Sequence, residues 1–326
     1  MFSYRTLLKQ AWNISWKHKY LWLFGLFASI AAASGSFEYQ LLANSFQASA
    51  LENSYYHING ILIVGKAIIA FFVGFISLFS YDILTIVNTL TVIIITLTLI
   101  ISFVWLAISS QAALVISIKK VLAAKKKDAV INIRENLAKG HQNFWPVLGL
   151  NILIKFLIGL TLFIMGVPLL FLAVDGSAYL AVIYTLAFII FTPAAIALSL
   201  IIKYAIAYKV LDNESFSDSL KKSINLFSKN WLISLEMGVM LFIISFLAGL
   251  ILLILIAIFI FPYIMFAINY GLAWLIVLLL LISLTLILFV GSLLTTFQIS
   301  VWTGLFLELK EGRGEAKLER AFKKKK

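Results

Sequence analysis

Long apolar segments alternate with short basic segments along the chain. Residues 83 to 118, 176 to 202 and 237 to 307 contain no Asp, Glu, Lys or Arg. Because roughly 20 residues of helix cross the apolar core of a bilayer, the last run is long enough for two crossings. Alternation of polar and apolar residues at period two is absent, which favours helices. The pattern predicts six spans, at residues 20–37, 83–110, 144–167, 178–202, 231–260 and 272–300.

Composition supports this prediction. The 326 residues are 63% hydrophobic and only 12% charged, which leaves too little polar surface for a soluble globule. We therefore expect an all-α integral membrane protein that forms a single membrane domain over residues 1–326. The sequence has no cysteine, which excludes disulfides, thiol catalysis and thiolate metal sites.

The net charge of +12 is concentrated in a few places. Of the 26 Lys and Arg residues, 24 lie in four clusters, at residues 1–19, 119–143, 203–230 and 308–326. An excess of Lys and Arg marks cytoplasmic loops, so we expect all four clusters and both termini on the cytoplasmic side of the cell membrane. The expected partners are the bilayer and its anionic lipid head groups. No base-stacking aromatic array accompanies the charge, so no nucleic-acid partner is expected, and the sequence indicates no particular protein partner.

Residues 58–80, "INGILIVGKAIIAFFVGFISLFS", are also apolar enough to insert, despite Lys66. A seventh span here would place the N-terminal basic cluster on the side opposite the other three. We therefore predict an outer interfacial or re-entrant helix, with a crossing as the alternative.

Three similar basic stretches precede outward spans: "YRTLLKQAWNISWKHKYLW", "AVINIRENLAKGHQNFWPV" and "SFSDSLKKSINLFSKNWLI". Each is followed by an outward span, an external turn and an inward span. This order predicts three parallel two-helix repeats about an axis along the membrane normal. The repeats cover residues 1–127 with an outer insertion at 38–82, residues 128–211 and residues 212–311, and a basic tail follows at 312–326.

In each of these entry stretches, apolar residues share one helical face and basic or amide residues occupy the opposite face. Such a helix can lie on the cytoplasmic leaflet, where each basic residue near anionic lipid contributes about 1 kcal/mol. It can equally pack on a neighbouring helix. The apolar residues are Tyr4, Leu7, Leu8, Ala11 and Trp12 in the first entry, Val130, Ile133 and Leu137 in the second, and Phe216, Leu220, Ile224 and Phe227 in the third.

The entries "LLKQAWNISWKHKYLWLFGLFAS" and "SFSDSLKKSINLFSKNWLISL" resemble a polytopic bacterial membrane family. That family includes the membrane part of glycerophosphoryl diester phosphodiesterases and related uncharacterised hydrophobic proteins. In members with the enzyme name, catalysis belongs to a separate soluble domain with paired His and acidic metal ligands. This sequence has no counterpart of those residues, so the resemblance implies a membrane fold without the phosphodiesterase activity.

Three residues inside predicted spans, Lys155, Asn151 and Glu236, are the candidates for an intramembrane polar site. Lys155 lies near the bilayer middle, where a lysine costs roughly 2.5 to 3.5 kcal/mol, and Asn151 lies one turn earlier. They form a candidate polar site for an anionic group. Lys155 can also snorkel to the interface or pair with a carboxylate. Glu236, one turn into the fifth span, is either that carboxylate or an ordinary boundary residue.

Residues for catalysis or metal binding are not recognisable in this sequence. His18, His57 and His141 are scattered, and no Gly-rich phosphate loop, nucleophile elbow or carboxylate pair occurs at usable spacing. We therefore expect no catalytic site, no metal and no cofactor. The favoured function is a non-enzymatic scaffold that assists lipid or envelope processes; the alternatives are a small-molecule or lipid transporter, and a membrane-embedded enzyme.

Overall fold

The computed structural model describes residues 4–32, 82–123, 132–175 and 178–312. Helices account for nearly all of these residues, and the described part of the chain contains no strand, so the all-α prediction is confirmed there. The helices are α1 (Tyr4–Lys17), α2 (Leu21–Ala32), α3 (Ile83–Ala123), α4 (Ile133–Gln142), α5 (Phe144–Asp175), α6 (Ala178–Asp212), α7 (Phe216–Lys229), α8 (Trp231–Phe259), α9 (Phe261–Asn269) and α10 (Ala273–Lys310).

Within the described residues, five helical segments are long and apolar enough to cross a membrane, as expected of a multi-pass membrane protein. They overlap five of the six predicted spans. The other predicted span begins in α2, which has 12 residues, and the rest of it lies outside the described residues. The predicted outer helix at 58–80 also lies outside them, so the total of six spans stays a prediction. The five segments are Ile83–Ala123, Phe144–Thr161, Val182–Asp212, Trp231–Asn269 and Ala273–Lys310.

Three helices are much longer than one crossing requires. Helices α3, α6 and α10 contain 41, 35 and 38 residues. At 1.5 Å per residue these are about 62, 53 and 57 Å long, against a bilayer core of about 30 Å. In each helix the buried residues are concentrated toward the C-terminal end. The apolar N-terminal parts are mostly exposed, as expected of surfaces that face lipid.

The chain divides into two compact units. Unit 1 comprises Met1–Gly35, Leu106–Leu153 and Ser199–Lys326, and unit 2 comprises Ser36–Trp105 and Ile154–Leu198. The described residues of unit 2 are mainly exposed and apolar. Unit 1 contains a hydrophobic core in which α1, α2 and the C-terminal part of α3 meet. Its buried members are Ile14, Leu21, Phe24, Ala28, Ala113, Leu114 and Ile118.

A short break separates each entry helix from the helix that follows it. The breaks fall at residues 18–20, at Asn143 and at Asn230. The two asparagines close their helices in the same way, because each side-chain Nδ2 donates to the carbonyl oxygen four residues earlier, on Lys139 and Leu226, at 3.0 Å in both cases. The recurrence seen in the sequence is therefore a recurring local structure. The arrangement of the pairs as parallel repeats stays a prediction.

The entry helices α4 and α7 pack mainly through small or polar residues, whereas α1 also buries Tyr4, Leu7 and Ile14. Ala11, Asn136 and Ser223 occupy the same position, six residues before the last residue of each helix, and all three are buried. Large apolar residues of these helices are instead exposed, including Trp12 at 49% and Ile224 at 50%. In α4 and α7 the predicted apolar residues Ile133, Phe216 and Ile224 are exposed, whereas in α1 the predicted residues Tyr4, Leu7 and Ala11 are buried.

A polar network joins α4 to the C-terminal part of α3. Asn136 Nδ2 donates to Ser117 Oγ at 2.7 Å, and Lys120 Nζ donates to Asn136 Oδ1 at 2.7 Å. Glu135 Oε1 accepts from Lys120 at 3.1 Å and from Lys139 at 2.8 Å. Hydrogen bonds from Lys139 and Lys120, with their positive charges, lower the pKa of Glu135. The network fixes the entry helix to the helix that precedes it in the chain.

The lowered pKa of Glu135 predicts a pH-dependent stability. Because the folded pKa lies below the ordinary glutamate value of about 4.3, the ion pairs stabilise the fold above that value and are lost as pH falls through the folded pKa. Glu135→Gln should therefore lower the unfolding temperature slightly at neutral pH and make no difference in acid. Thermal unfolding of both proteins in detergent between neutral and acidic pH measures this. A difference that stays constant over the whole range would show that the carboxylate charge is not responsible.

Helices α2 and α10 cross with their backbones in contact. A Cβ built on Gly25 would lie 2.5 Å from the carbonyl oxygen of Ser292, and it would also collide with Thr296 Oγ1. The Ser292 hydroxyl donates to the carbonyl oxygen of Trp22, and Thr296 Oγ1 lies 3.4 Å from the carbonyl oxygen of Leu21. Small side chains on both helices therefore allow hydrogen bonds between a side chain and the backbone of the facing helix, as in tightly packed membrane helices.

Candidate functional site

Asn151 is buried on α5 and pairs with a second amide. Its Nδ2 donates to Gln111 Oε1 on α3 at 3.0 Å and to the carbonyl oxygen of Val147 at 2.8 Å. The hydrogen bond to Gln111 connects two helices that the sequence separates by 40 residues. One member of the predicted polar site is therefore engaged in holding α3 and α5 together.

Lys155 has a different environment from Asn151, although it lies one turn later on α5. Its side chain is exposed, and so are its apolar neighbours Ile152 and Phe156, at 57% and 66%. A lysine on such a surface lays its methylene groups along the apolar neighbours and carries its ammonium toward the interface. Lys155 belongs to unit 2, whereas Asn151 and Glu236 belong to unit 1.

Lys155→Met is expected to leave the unfolding temperature unchanged or to raise it. The substitution removes an insertion cost of roughly 2.5 to 3.5 kcal/mol, and the exposed surface around Lys155 gives no reason for a compensating loss. If Lys155 belonged to a buried ion pair, the loss would instead be about 3 to 5 kcal/mol. Thermal unfolding in detergent distinguishes these results. Lys203→Met serves as the control, because Lys203 lies over an aromatic ring inside unit 1. An equal loss of stability in both variants would refute the interpretation that the ammonium group of Lys155 extends to the interface.

Glu236 is half-buried on α8 and accepts a hydrogen bond from the hydroxyl group of Tyr4 on α1. Tyr4 is itself buried, at 6% exposure. A hydrogen bond to a carboxylate is stronger than one between neutral groups, so this contact ties the start of the first entry helix to α8. The sequence predicted Glu236 as a site residue but placed Tyr4 only among the apolar residues of its helix.

Two further contacts of polar residues in unit 1 were not predicted. Lys203 Nζ lies 4.9 Å from the centre of the Trp302 ring, and the hydroxyl groups of Tyr204 and Ser234 are 2.7 Å apart. The sequence places Lys203 in the basic cluster at 203–230, which was predicted to be cytoplasmic. The position of Lys203 inside the helix could have been recognised from its distance to the end of α6. Asp212, the last residue of α6, is nine residues further on, which is about 14 Å of helix.

The contacts of α6 with α8 define an antiparallel register. Tyr204 meets Ser234, and Leu200 Cδ2 lies 3.8 Å from the Cβ position built on Gly238. A step of four residues toward the N-terminus of α6 thus corresponds to a step of four residues toward the C-terminus of α8. This register places Lys203 at the level of the glutamate of α8, so the charged groups of these two helices occupy one layer of unit 1.

Lysines from two neighbouring helices hold the C-terminal end of α6. Lys119 Nζ of α3 donates to the carbonyl oxygen of Leu211 at 3.1 Å, and Lys310 of α10 pairs with the Asp212 carboxylate at 2.7 Å. Asn213 follows with a φ of 54°, in the left-handed conformation that often ends a helix. Cations here satisfy terminal carbonyl groups and stabilise the negative end of the helix dipole. These lysines therefore have a structural role.

Apart from the network between α3 and α4, the interhelical polar contacts described above join side chains in pairs instead of gathering them around one point. A further pair joins Gln298 Nε2 of α10 to Ser245 Oγ of α8 at 2.7 Å. Within the residues that the structure describes, no three His, Cys, Asp or Glu side chains are grouped so that they could hold a metal ion. Pairs of this kind hold helices together, whereas acyl or phosphoryl transfer needs a nucleophile, a base and charge-stabilising donors around one reacting atom.

Comparisons with protein-family models, with curated proteins and with solved structures gave no match. The resemblance of the entry motifs to the phosphodiesterase-associated membrane family therefore stays a prediction. The function has to be inferred from the geometry of this chain alone.

Proposed function

We propose that this protein is a non-enzymatic scaffold of the cell membrane, which holds basic amphipathic helices against the cytoplasmic leaflet and thereby assists a lipid or envelope process. The observation that supports this proposal is the exposure of the entry helices. Each buries one face inside the protein, while basic side chains and large apolar side chains such as Trp12, Ile133 and Ile224 are exposed. A helix with this distribution is suited to the boundary between head groups and acyl chains.

The third entry helix, α7, buries small residues and exposes large apolar and basic ones. Ser219 and Ser223 of α7 are buried, while Phe216 and Ile224 are 39% and 50% exposed. Lys221 is exposed on the same helix. In water an exposed apolar face would be unfavourable, so its presence beside cations supports contact with anionic lipid. This interpretation is preferred to packing on a further helix of the same unit.

The polar contacts inside unit 1 also support a scaffold. The amide of Asn151 and the carboxylate of Glu236, both proposed from the sequence as ligands of a polar site, have protein partners in Gln111 and Tyr4. A transport site for an anionic group would instead present such residues to a polar cavity.

Complementation of a deletion strain tests the proposal. A variant with Arg5, Lys9, Arg134, Lys221 and Lys229 replaced by Gln removes outward cations for which no salt bridge is described. We expect this variant to accumulate normally in the membrane and to fail to restore the phenotype. Gln298→Leu, which breaks one interhelical pair, serves as the control and should complement if its protein level is maintained. Full complementation by the charge-depleted chain would contradict the scaffold proposal.

A lipid transporter is the second candidate, and one observation favours it. The hydroxyl groups of Ser109 and Ser110 on α3 are buried and have no hydrogen-bond partner among the described residues. They are close in sequence to Gln111, which pairs with Asn151. Movement of a fluorescent phosphatidylglycerol between leaflets, measured in vesicles with the purified protein, separates the two candidates. The scaffold proposal predicts the rate of protein-free vesicles, whereas a transporter would accelerate the movement.

A further inference from the structure

One face of the first entry helix carries two cations followed by two tryptophans. Arg5, Lys9, Trp12 and Trp16 are all exposed. At 3.6 residues per turn they fall within an arc of about 60°. The face of α1 that packs inside unit 1 carries different residues, such as Leu7. The outward stripe is therefore a surface that the fold leaves uncovered; we call these four residues the α1 stripe.

Within the residues that the structure describes, the cations of the α1 stripe lack the acidic partners that some cations of the other entry helices have. Within the described part of the chain, Arg5 and Lys9 form no ion pair, and α1 contains no acidic residue. In contrast, Lys139 of α4 pairs with Glu135, and Lys222 of α7 pairs with a carboxylate of the preceding loop. An exposed pair of cations without a protein carboxylate offers two positive donors to an anion from outside the protein.

The tryptophans of the α1 stripe continue into an apolar surface. The ring centres of Trp12 and Trp16 are 5.6 Å apart, those of Trp16 and Trp22 are 5.6 Å apart, and those of Trp22 and Phe289 are 5.1 Å apart. Trp16 is 42% exposed and Phe289 is 46% exposed. Phe289 lies in the apolar, exposed part of α10 that we assign to the membrane. The row of rings therefore connects a cationic surface to a surface suited to acyl chains.

We propose that the α1 stripe binds one anionic phospholipid, with the phosphate on Arg5 and Lys9 and the acyl chains along the row from Trp12 to Phe289. This inference rests on the scaffold proposal and names the partner of one of its surfaces. A phospholipid fits because one molecule supplies both the anion and the apolar chain. An acidic peptide or inorganic phosphate would neutralise the cations and leave the row of rings uncovered. Tryptophan is also the residue that membrane proteins favour at the level of the head groups.

Thermal unfolding of the full chain in detergent tests this site. Short-chain phosphatidylglycerol is titrated into the wild type and the double variant Arg5→Gln/Lys9→Gln, with short-chain phosphatidylcholine and inorganic phosphate as other probes. We expect phosphatidylglycerol alone to raise the wild-type unfolding temperature. The double variant should bind it about 30-fold more weakly, the equivalent of about 1 kcal/mol for each basic residue.

The matched control is Lys17→Gln/Lys19→Gln, which removes the same charge near the end of α1 from two exposed residues outside the α1 stripe. It should bind phosphatidylglycerol as the wild type does. An equal loss of phosphatidylglycerol binding in the control would show diffuse attraction and overturn the site. An equal rise of the unfolding temperature with inorganic phosphate would show that the acyl chains make no contribution, and this result would also overturn the site.

A second substitution tests the aromatic part of the stripe. Trp16→Gln should weaken binding of phosphatidylglycerol while leaving the cations in place. If the wild type and both stripe variants bind alike, the inference fails even when the charge-depleted chain does not complement, and the scaffold proposal then stands with a different partner. If binding behaves as expected while the charge-depleted chain complements fully, the scaffold proposal fails and the lipid site stands.

Discussion

Gly25→Ala is expected to destabilise the protein by about 1 to 3 kcal/mol, the usual effect of overpacking a close contact. The added methyl group would lie 2.5 Å from the carbonyl oxygen of Ser292, which belongs to the backbone of α10 and cannot rotate away. The helices would have to separate, and the hydrogen bond from the Ser292 hydroxyl to the carbonyl oxygen of Trp22 would weaken. Thermal or chemical unfolding in detergent measures the loss.

Gly249→Ala is the matched control for this prediction. A Cβ at Gly249 on α8 has no atom within 4 Å, so the same chemical change meets open space. There alanine should be neutral or stabilise by up to about 1 kcal/mol, because glycine is the poorer helix former. Equal effects at Gly25 and Gly249 would mean that the α2–α10 crossing is not as close as described.

Asn136→Leu is expected to cost about 1 to 3 kcal/mol, because it removes one partner from a buried polar network. Asn136 is fully buried and joins Ser117 to Lys120. With leucine in its place the Ser117 hydroxyl loses its donor, and Lys120 loses one of its two acceptors. Asn225→Leu on α7 is the control, since Asn225 is exposed. Unfolding of both variants in detergent tests the expectation, and a stable Asn136→Leu protein would show that the network does not hold α4 to α3.

Much of the helical layout follows from simple properties of the sequence. The charge-free run at 83–118 predicted a span at 83–110, and α3 extends from Ile83 to Ala123. Asn143 and Asn230 end two entry helices, since an amide can bond to the carbonyl groups that a helix end leaves free. Length, charge and capping are local properties, and they can be recognised without knowledge of the packing partners.

The packing faces of α4 and α7 could not be predicted in the same way. Apolar periodicity identifies the face that avoids water, but in a membrane lipid can cover that face as well as protein can. Ser219 and Ser223 of α7 are therefore buried while Ile224 is exposed. The shape of the neighbouring helix determines which small residues pack against it.

The candidate site could likewise be predicted only in part. Asn151 and Glu236 were predicted from their polarity within apolar spans, and both have interhelical partners. Their partners Gln111 and Tyr4 are distant in the chain, so no spacing rule identifies them. Lys203 was overlooked because a lysine near a basic cluster resembles a topological signal, although the layer it shares with α8 depends on the register between two helices.

Cysteine labelling tests the central claim, that the three entry helices lie on one side of the membrane. The chain has no cysteine of its own, so single cysteines can be introduced directly at Gln10 in α1, Gln142 in α4 and Lys221 in α7, all of which are exposed. A fourth cysteine replaces Tyr270, which is 69% exposed in the turn before α10. In intact cells a membrane-impermeant maleimide should label only the cysteine at position 270, and the other three should react only after the membrane is permeabilised. Labelling of any entry helix from outside, or of position 270 only after permeabilisation, would contradict the proposed arrangement.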